Sequence, residues 1–374
     1  MIVAGGGIHG SDACAALGEV AGRLGAVVVT SFSGKGAVAE TEPFAAGVLN
    51  PLGTTESLEL VRRADLVFFA GTKVGQNTSH NWTVPLAEQA TVHLDSDATE
   101  LGRTFRPTVA LNGDARATLE ALAARLRPHA RREWLAEAEK LRGQGRRDRD
   151  ALEQTNASPL QPPRVMRELA SRLGDNDVVI SDASFSAGWI AAHVPARTAG
   201  RHFLFARGQG GLGYAVPAAI GAAFARPEAR VVTVSGDGGF SYAIGELATH
   251  AQQGLRTVNI VLNNGTLAWL AMWQRFFYEG LRESVDLEGD AGGPDFAAAA
   301  RGLGCEGIRV EALDDLAGAL ETAFRSPGPA VVDVRVDPEA TPIHGYRRRL
   351  AEGKSYARPG TVYQLPPWRR SPPL

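Results

Sequence analysis

Short, β-branched apolar runs alternate with helical patterns along the whole chain, and that alternation restricts the fold more than any single residue does. Residues 26–30, 66–70, 91–94, 178–181, 231–235, 257–262 and 330–334 read as strands. Amphipathic stretches such as 57–63, 115–126 and 313–324 lie between them. Strand–helix alternation of this kind builds layered α/β domains around mostly parallel sheets. At 374 residues there is material for two such domains, each with its own core. The expected fold class is α/β, with two doubly wound parallel-sheet domains and an extended C-terminal tail. The first domain, Rossmann-like, is expected over 1–128, a connection over 129–163, the second domain over 164–338, and a basic, proline-bearing tail over 339–374. In the connection, the run ARREWLAEAEKLRGQGRRDRD reads as a helix with a solvated charged face.

The composition excludes several classes. With 44% hydrophobic and 21% charged residues and a net charge of −2, the chain gives no reason to expect nucleic acid or an anionic membrane as partner. No apolar run reaches membrane-spanning length, and no signal-type segment opens the sequence, so cytoplasm is the expected location. The two cysteines, Cys14 and Cys305, have no metal-ligand spacing and read as reduced core thiols.

The opening MIVAGGGIHG contains G-x-G-x-x-G at Gly5, Gly7 and Gly10. A helix over 13–24 and a strand over 26–30 should follow. A dinucleotide site needs an acid at the end of that second strand to hold the ribose. Thr30, Ser31, Phe32 and Ser33 stand there instead, which speaks against NAD.

The segment VVTVSGDGGFSYAIGELATHAQQGLRTVNIVLNNGTLAWLAMW (231–273) carries the most chemistry. It reads as a strand, a GDGG turn, a helix over 240–253 stopped by Gly254, a second strand, and NNGT. A βαβ unit makes the two strands parallel and close, so Asp237 and the Asn263–Asn264 pair emerge at one carboxyl edge. A carboxylate and a side-chain amide there suit a hard cation such as Mg²⁺. Gly238 and Gly239 let backbone N–H groups approach an anion at the following helix, and a diphosphate would supply the remaining metal ligands.

GDG followed by NN after the 24 residues from Gly239 to Leu262 resembles the signature of thiamine-diphosphate enzymes, the 2-oxo-acid decarboxylases and carboligases. The resemblance implies Asp237, Asn264 and the Thr266 carbonyl as Mg²⁺ ligands, with Gly236, Gly238, Gly239 and Leu267 around the cofactor. GGLGYAVPAAIGA (210–222) is similar to the family segment whose large apolar residue props thiamine into its bent form. Leu212 holds that place, although an ordinary core leucine fits the sequence too. SDASFSAGW (181–189) resembles the loop that wraps the diphosphate, which implies Ser184, Phe185 and Ser186 as contacts. WLAMWQRFFYEG is most similar to acetolactate (acetohydroxyacid) synthases. There a tryptophan nine positions after the second asparagine shapes the pocket for the acceptor keto acid, which implies Trp273 and the neighbouring Trp269. A helix with Trp269, Trp273, Phe276 and Phe277 is equally a core pattern.

Residues 92–122 resemble the end of the family's middle domain, which often holds FAD through an arginine-bearing motif. GTKVGQNTSHNW has no arginine, so FAD is doubtful here. The family's pyrimidine-binding domain, with the glutamate that activates the cofactor, finds no match. The resemblance therefore implies no catalytic residue of that kind in this chain. It implies a split enzyme, with a separate pyrimidine-domain subunit completing the site and self-association into a hetero-oligomer such as a heterotetramer. The implied reaction is attack of the thiazolium carbanion on a 2-oxo acid, loss of carbon dioxide, and addition to a second carbonyl. A benzoylformate decarboxylase-like subunit and a non-catalytic partner of a full-length paralogue are the alternatives.

Overall fold

A computed structural model describes residues 1–278, 281–289 and 292–343. Most of the expected tail, from 344 onward, lies outside the described residues. The chain divides into two compact units, one of Met1–Asp148 with Pro195–Arg201, the other of Arg149–Val194 with the described residues from 202 onward.

The first unit is built on six parallel strands: β1 (Ile2–Ala4), β2 (Val28–Thr30), β3 (Ala45–Val48), β4 (Leu66–Ala70), β5 (Ala90–Asp95) and β6 (Val109–Asn112), in the order β3-β2-β1-β4-β5-β6. Successive residues of a strand face opposite sides, so Ile2 and Ala4 pack into one core with Leu17, Phe68 and Leu119, while Val3 joins Leu60, Val67 and Phe69 in the other. Both faces are covered, which explains the continuous apolar runs.

The strand order reverses between β1 and β4, where a Rossmann fold opens its ligand crevice. Here the two loops run close together through their backbones. Gly5 N–H donates to the Ala70 carbonyl and Gly7 N–H to the Gly71 carbonyl, both at 2.9 Å. A Cβ on Gly5 would lie 2.2 Å from the Thr72 Cβ. At the end of β2, Ser31 accepts the Gly34 N–H and caps a short 3₁₀ turn, Phe32–Gly34. The opening glycines serve a tight approach of two loops.

The charged connection forms a 22-residue helix, Arg132–Glu153. Its polar face is not wholly solvated as expected. Arg142 is 7% exposed and donates to the carbonyls of Glu42 and Pro43 in the loop before β3, because a guanidinium with five donors can satisfy several carbonyls at once.

The second unit holds six more parallel strands: β7 (Val178–Ser181), β8 (Phe203–Phe205), β9 (Val231–Gly236), β10 (Thr257–Asn263), β11 (Glu306–Val310) and β12 (Ala330–Arg335), in the order β11-β12-β10-β9-β7-β8. Its switch point falls between β7 and β9. The expected helix over 240–253 is interrupted. It starts on the aspartate as Asp237–Ala243, tightens to a 3₁₀ turn at Ile244–Glu246, and resumes as Leu247–Gln252. Gly245 in the joint lowers the local preference for an unbroken helix. Among the described residues no helix is long and apolar enough to cross a membrane.

Candidate cofactor site at a sheet edge

β9 and β10 pair in parallel from Thr257↔Val231 to Leu262↔Gly236. Both chains therefore leave the sheet at the same edge, and Asp237 and Asn264 are neighbours for that reason. Asp237 is 2% exposed. Its Oδ2 accepts the N–H groups of Asn264 at 3.0 Å and Gly265 at 2.6 Å, and its Oδ1 accepts that of Gly238 at 2.8 Å. Burial raises its carboxyl to about 6, even though these three amides and the charge of Arg335 oppose the shift. The Gly238 N–H, expected to face an anion, is thus already shared with a carboxylate.

The Asn264 Oδ1 accepts the Thr266 N–H at 3.1 Å, and the Thr266 carbonyl accepts the Ala268 N–H at 2.8 Å. A carboxylate offers about four lone-pair positions and an amide oxygen two. Asp237, Asn264 and Thr266 therefore each keep acceptor capacity. The donor set is oxygen only, and the described residues contain no group of three His, Cys, Asp or Glu able to cage a metal. That chemistry fits a hard cation that takes its other ligands from phosphate oxygens. An anion brought to Asp237 also needs a cation between the two like charges. The residues present fit a Mg²⁺–diphosphate.

A cavity of about 200 Å³ opens here. Ser184, Phe185, Ser186, Leu212, Gly236, Asp237, Gly238, Gly239, Asn264, Thr266, Leu267 and Trp269 all line it. Trp269 packs against Phe185 in a tilted arrangement with ring centroids 5.4 Å apart. Trp273 is not on this wall; it packs on Phe277 at 4.6 Å, one helical turn further along the helix Ala268–Phe277. Ser184 adopts φ 76°, ψ −145°, a conformation that side chains resist. Leu212, expected as a prop or a core leucine, is 41% exposed on the cavity wall, and Tyr242 and Leu270 beside it are 76% and 52% exposed.

Two further residues shape the site. Asp182, directly after β7, is 1% exposed; it accepts the N–H groups of Ala183 at 2.7 Å, Gly213 at 3.1 Å and Ala215 at 3.3 Å. Burial raises its carboxyl above the usual range. It holds the loop that carries Leu212, and a Cβ on Gly239 would come within 3.1 Å of it. The signal was an acid immediately following an apolar strand. Asp337 also lines the cavity, brought there by the end of β12.

Residues 182–334 match the model of the thiamine pyrophosphate enzyme C-terminal TPP binding domain, and residues 1–122 match that of the thiamine pyrophosphate enzyme central domain. The chain belongs to the thiamine pyrophosphate enzyme family. Its relatives include a probable acetolactate synthase large subunit of Methanocaldococcus jannaschii, 30% identical over 92% of this chain and 58% of that protein. The acetolactate synthase isozyme 2 large subunit of Escherichia coli (strain K12) is 28% identical over 90% of this chain and 60% of its own length. An acetolactate synthase of Mycobacterium avium is 29% identical, with 86% and 52% covered. The chain thus spans little more than half the length of these relatives. As a thiamine pyrophosphate enzyme it carries the cavity on the domain the family uses for the cofactor.

Proposed function

We propose that this chain binds thiamine diphosphate through Mg²⁺ and forms part of a carboligase acting on 2-oxo acids, of the acetolactate synthase type. The observation that carries the proposal is the parallel β9–β10 pair, which sets Asp237 and Asn264 at one cavity edge. Asp237, Asn264 and the Thr266 carbonyl hold the metal; Ser184 and Ser186 offer hydroxyls to the diphosphate. Leu212 and Leu267 pack against the thiamine portion, and Trp269 borders the substrate space. When bound, the cofactor supplies the nucleophilic carbon that attacks a keto group and the electron sink that accepts the charge left by departing carbon dioxide.

Among the described residues, the acids lining the cavity are Asp237 and Asp337. In this proposal the group that protonates the aminopyrimidine comes from a pyrimidine-binding domain that closes over Leu212, Tyr242 and Leu270, on a second polypeptide. Exposed apolar groups around a cavity mouth suit such a cover.

The test measures thiamine-diphosphate and Mg²⁺ binding by calorimetry, and pyruvate turnover, for the full chain alone and mixed with a pyrimidine-domain polypeptide. Binding by the chain with turnover only in the mixture is the expected result. Full turnover by the chain alone overturns the two-chain assignment, and absence of Mg²⁺-dependent binding overturns the cofactor assignment.

A further inference from the structure

The first asparagine of the pair, Asn263, is 1% exposed and does not line the cavity. Its Nδ2 donates to Asp333 Oδ1 at 2.9 Å, and its Oδ1 accepts from Arg335 at 2.8 Å. Asp333, fully buried, also accepts the Phe296 N–H at 3.2 Å. Asn263 and Arg335 are register partners across β10 and β12. The same guanidinium nitrogen of Arg335 also forms an ion pair with Glu288. The Glu288 carboxylate fills the space beside Gly265: a Cβ there would lie 2.5 Å from its Cδ. Gly265 has φ +70° and gives its N–H to Asp237. Leu287, next to Glu288, donates its N–H to the Gly265 carbonyl at 2.8 Å. Arg335 therefore grips the turn from two sides, through Asn263 before it and through Glu288 against its middle.

We propose that Arg335, acting with Glu288, is the positioning residue of the metal site: it fixes the turn that presents Asn264 and Thr266 opposite Asp237. This rests on the Mg²⁺–diphosphate assignment above. Outer partners that orient ligands typically change metal affinity about 10- to 100-fold when removed.

Mn²⁺ serves as the probe, with free ion counted by electron paramagnetic resonance in the presence of thiamine diphosphate and the full chain. Arg335→Met, Arg335→Lys and Glu288→Gln are compared with the unaltered protein at a temperature where circular dichroism shows each to be folded. Arg335→Met is expected to bind Mn²⁺ about 10- to 100-fold more weakly and Glu288→Gln about 10-fold more weakly. Arg335→Lys is expected to fall between the unaltered protein and Arg335→Met, since an ammonium keeps the charge and loses the planar fork. In the reconstituted mixture, excess Mg²⁺ should restore kcat to all three, which a general loss of structure would not allow. Affinities within twofold of the unaltered protein overturn the inference, as does a kcat that excess Mg²⁺ leaves depressed. If Arg335→Met does not fold, Glu288→Gln decides alone. An unaltered protein that binds no Mn²⁺ overturns the cofactor assignment and this inference with it.

Discussion

The Asp237 carboxylate accepts the N–H of Gly265 at 2.6 Å, across 28 residues of sequence. One side chain thus closes the turn that carries Asn264 while keeping lone pairs for a ligand, so its removal should damage both jobs. Asp237→Ala is expected to weaken Mg²⁺-dependent cofactor binding by ~100-fold or more, at least about 2.7 kcal/mol. Asn264→Ala should weaken it less, since it leaves the charge in place. Calorimetric titration of each variant checks the order, and equal binding by all three proteins would remove both residues from the metal site.

The raised Asp237 carboxyl predicts a pH dependence. The unfolded chain releases this proton near 3.8, whereas the fold holds it to about 6. Between those values the fold binds more protons, so the cofactor-free protein loses stability as pH rises through the window, by about 3 kcal/mol, and levels off above it. Mg²⁺ competes with the same proton, so its affinity should drop ~10-fold per unit below pH 6. Urea midpoints with and without Mg²⁺ and thiamine diphosphate, from pH 4.5 to 8, measure both slopes.

Ser184 makes no hydrogen bond through its hydroxyl among the described residues and sits in backbone space suited to glycine. Ser184→Gly should stabilise the cofactor-free protein by ~1 kcal/mol, raising its melting temperature by about 2–4 °C. The same change should weaken cofactor binding if the hydroxyl meets the diphosphate. Ser184→Ala separates the two effects, keeping the strain and losing the hydroxyl.

The opening glycines give a contrasting pair. Gly5→Ala places a methyl against Thr72 and the Gly71 carbonyl, 2.2 and 2.3 Å away, and should cost ~2 kcal/mol or more. Gly10→Ala meets nothing within 4 Å and should stabilise the protein by ~0.5 kcal/mol. Thermal melts decide. Equal effects would mean that loop packing does not explain the motif.

Leu212 stands exposed, so Leu212→Ala should change stability by no more than ~0.5 kcal/mol. Turnover of the reconstituted mixture should nevertheless fall if, as proposed, the side chain meets the cofactor and the covering chain. A variant that melts several degrees lower would mark Leu212 as a core residue instead.

Much of this was legible because central strands are buried on both faces. Val178–Ser181 and Leu66–Ala70 keep the bounds read from sequence, and the others differ by one or two residues. The strands that escaped are β3, β6, β8 and β11. Val109–Asn112 offers a run of only three apolar residues, and Glu306–Val310 is broken by Gly307 and Arg309. At the site, spacing located the metal-ligand candidates because strand pairing converts sequence separation into proximity. It could not distinguish Trp269 from Trp273, which share one face of the same helix and stand one turn apart. Nor could it reveal Arg335, whose partner Asn263 lies 72 residues away and meets it through the sheet.

The six paired positions shared by β9 and β10 have a consequence for how such a site can change over time. A slip of one residue would shift Asn264 by about 3.3 Å and turn it to the other side of the sheet. The spacing between the two ligand candidates is thus a property of the ladder, inherited intact by any variant that still folds. Residues of the wall, such as Phe185, Trp269 or Tyr242, are free to drift without the spacing of Asp237 and Asn264 having to be reinvented.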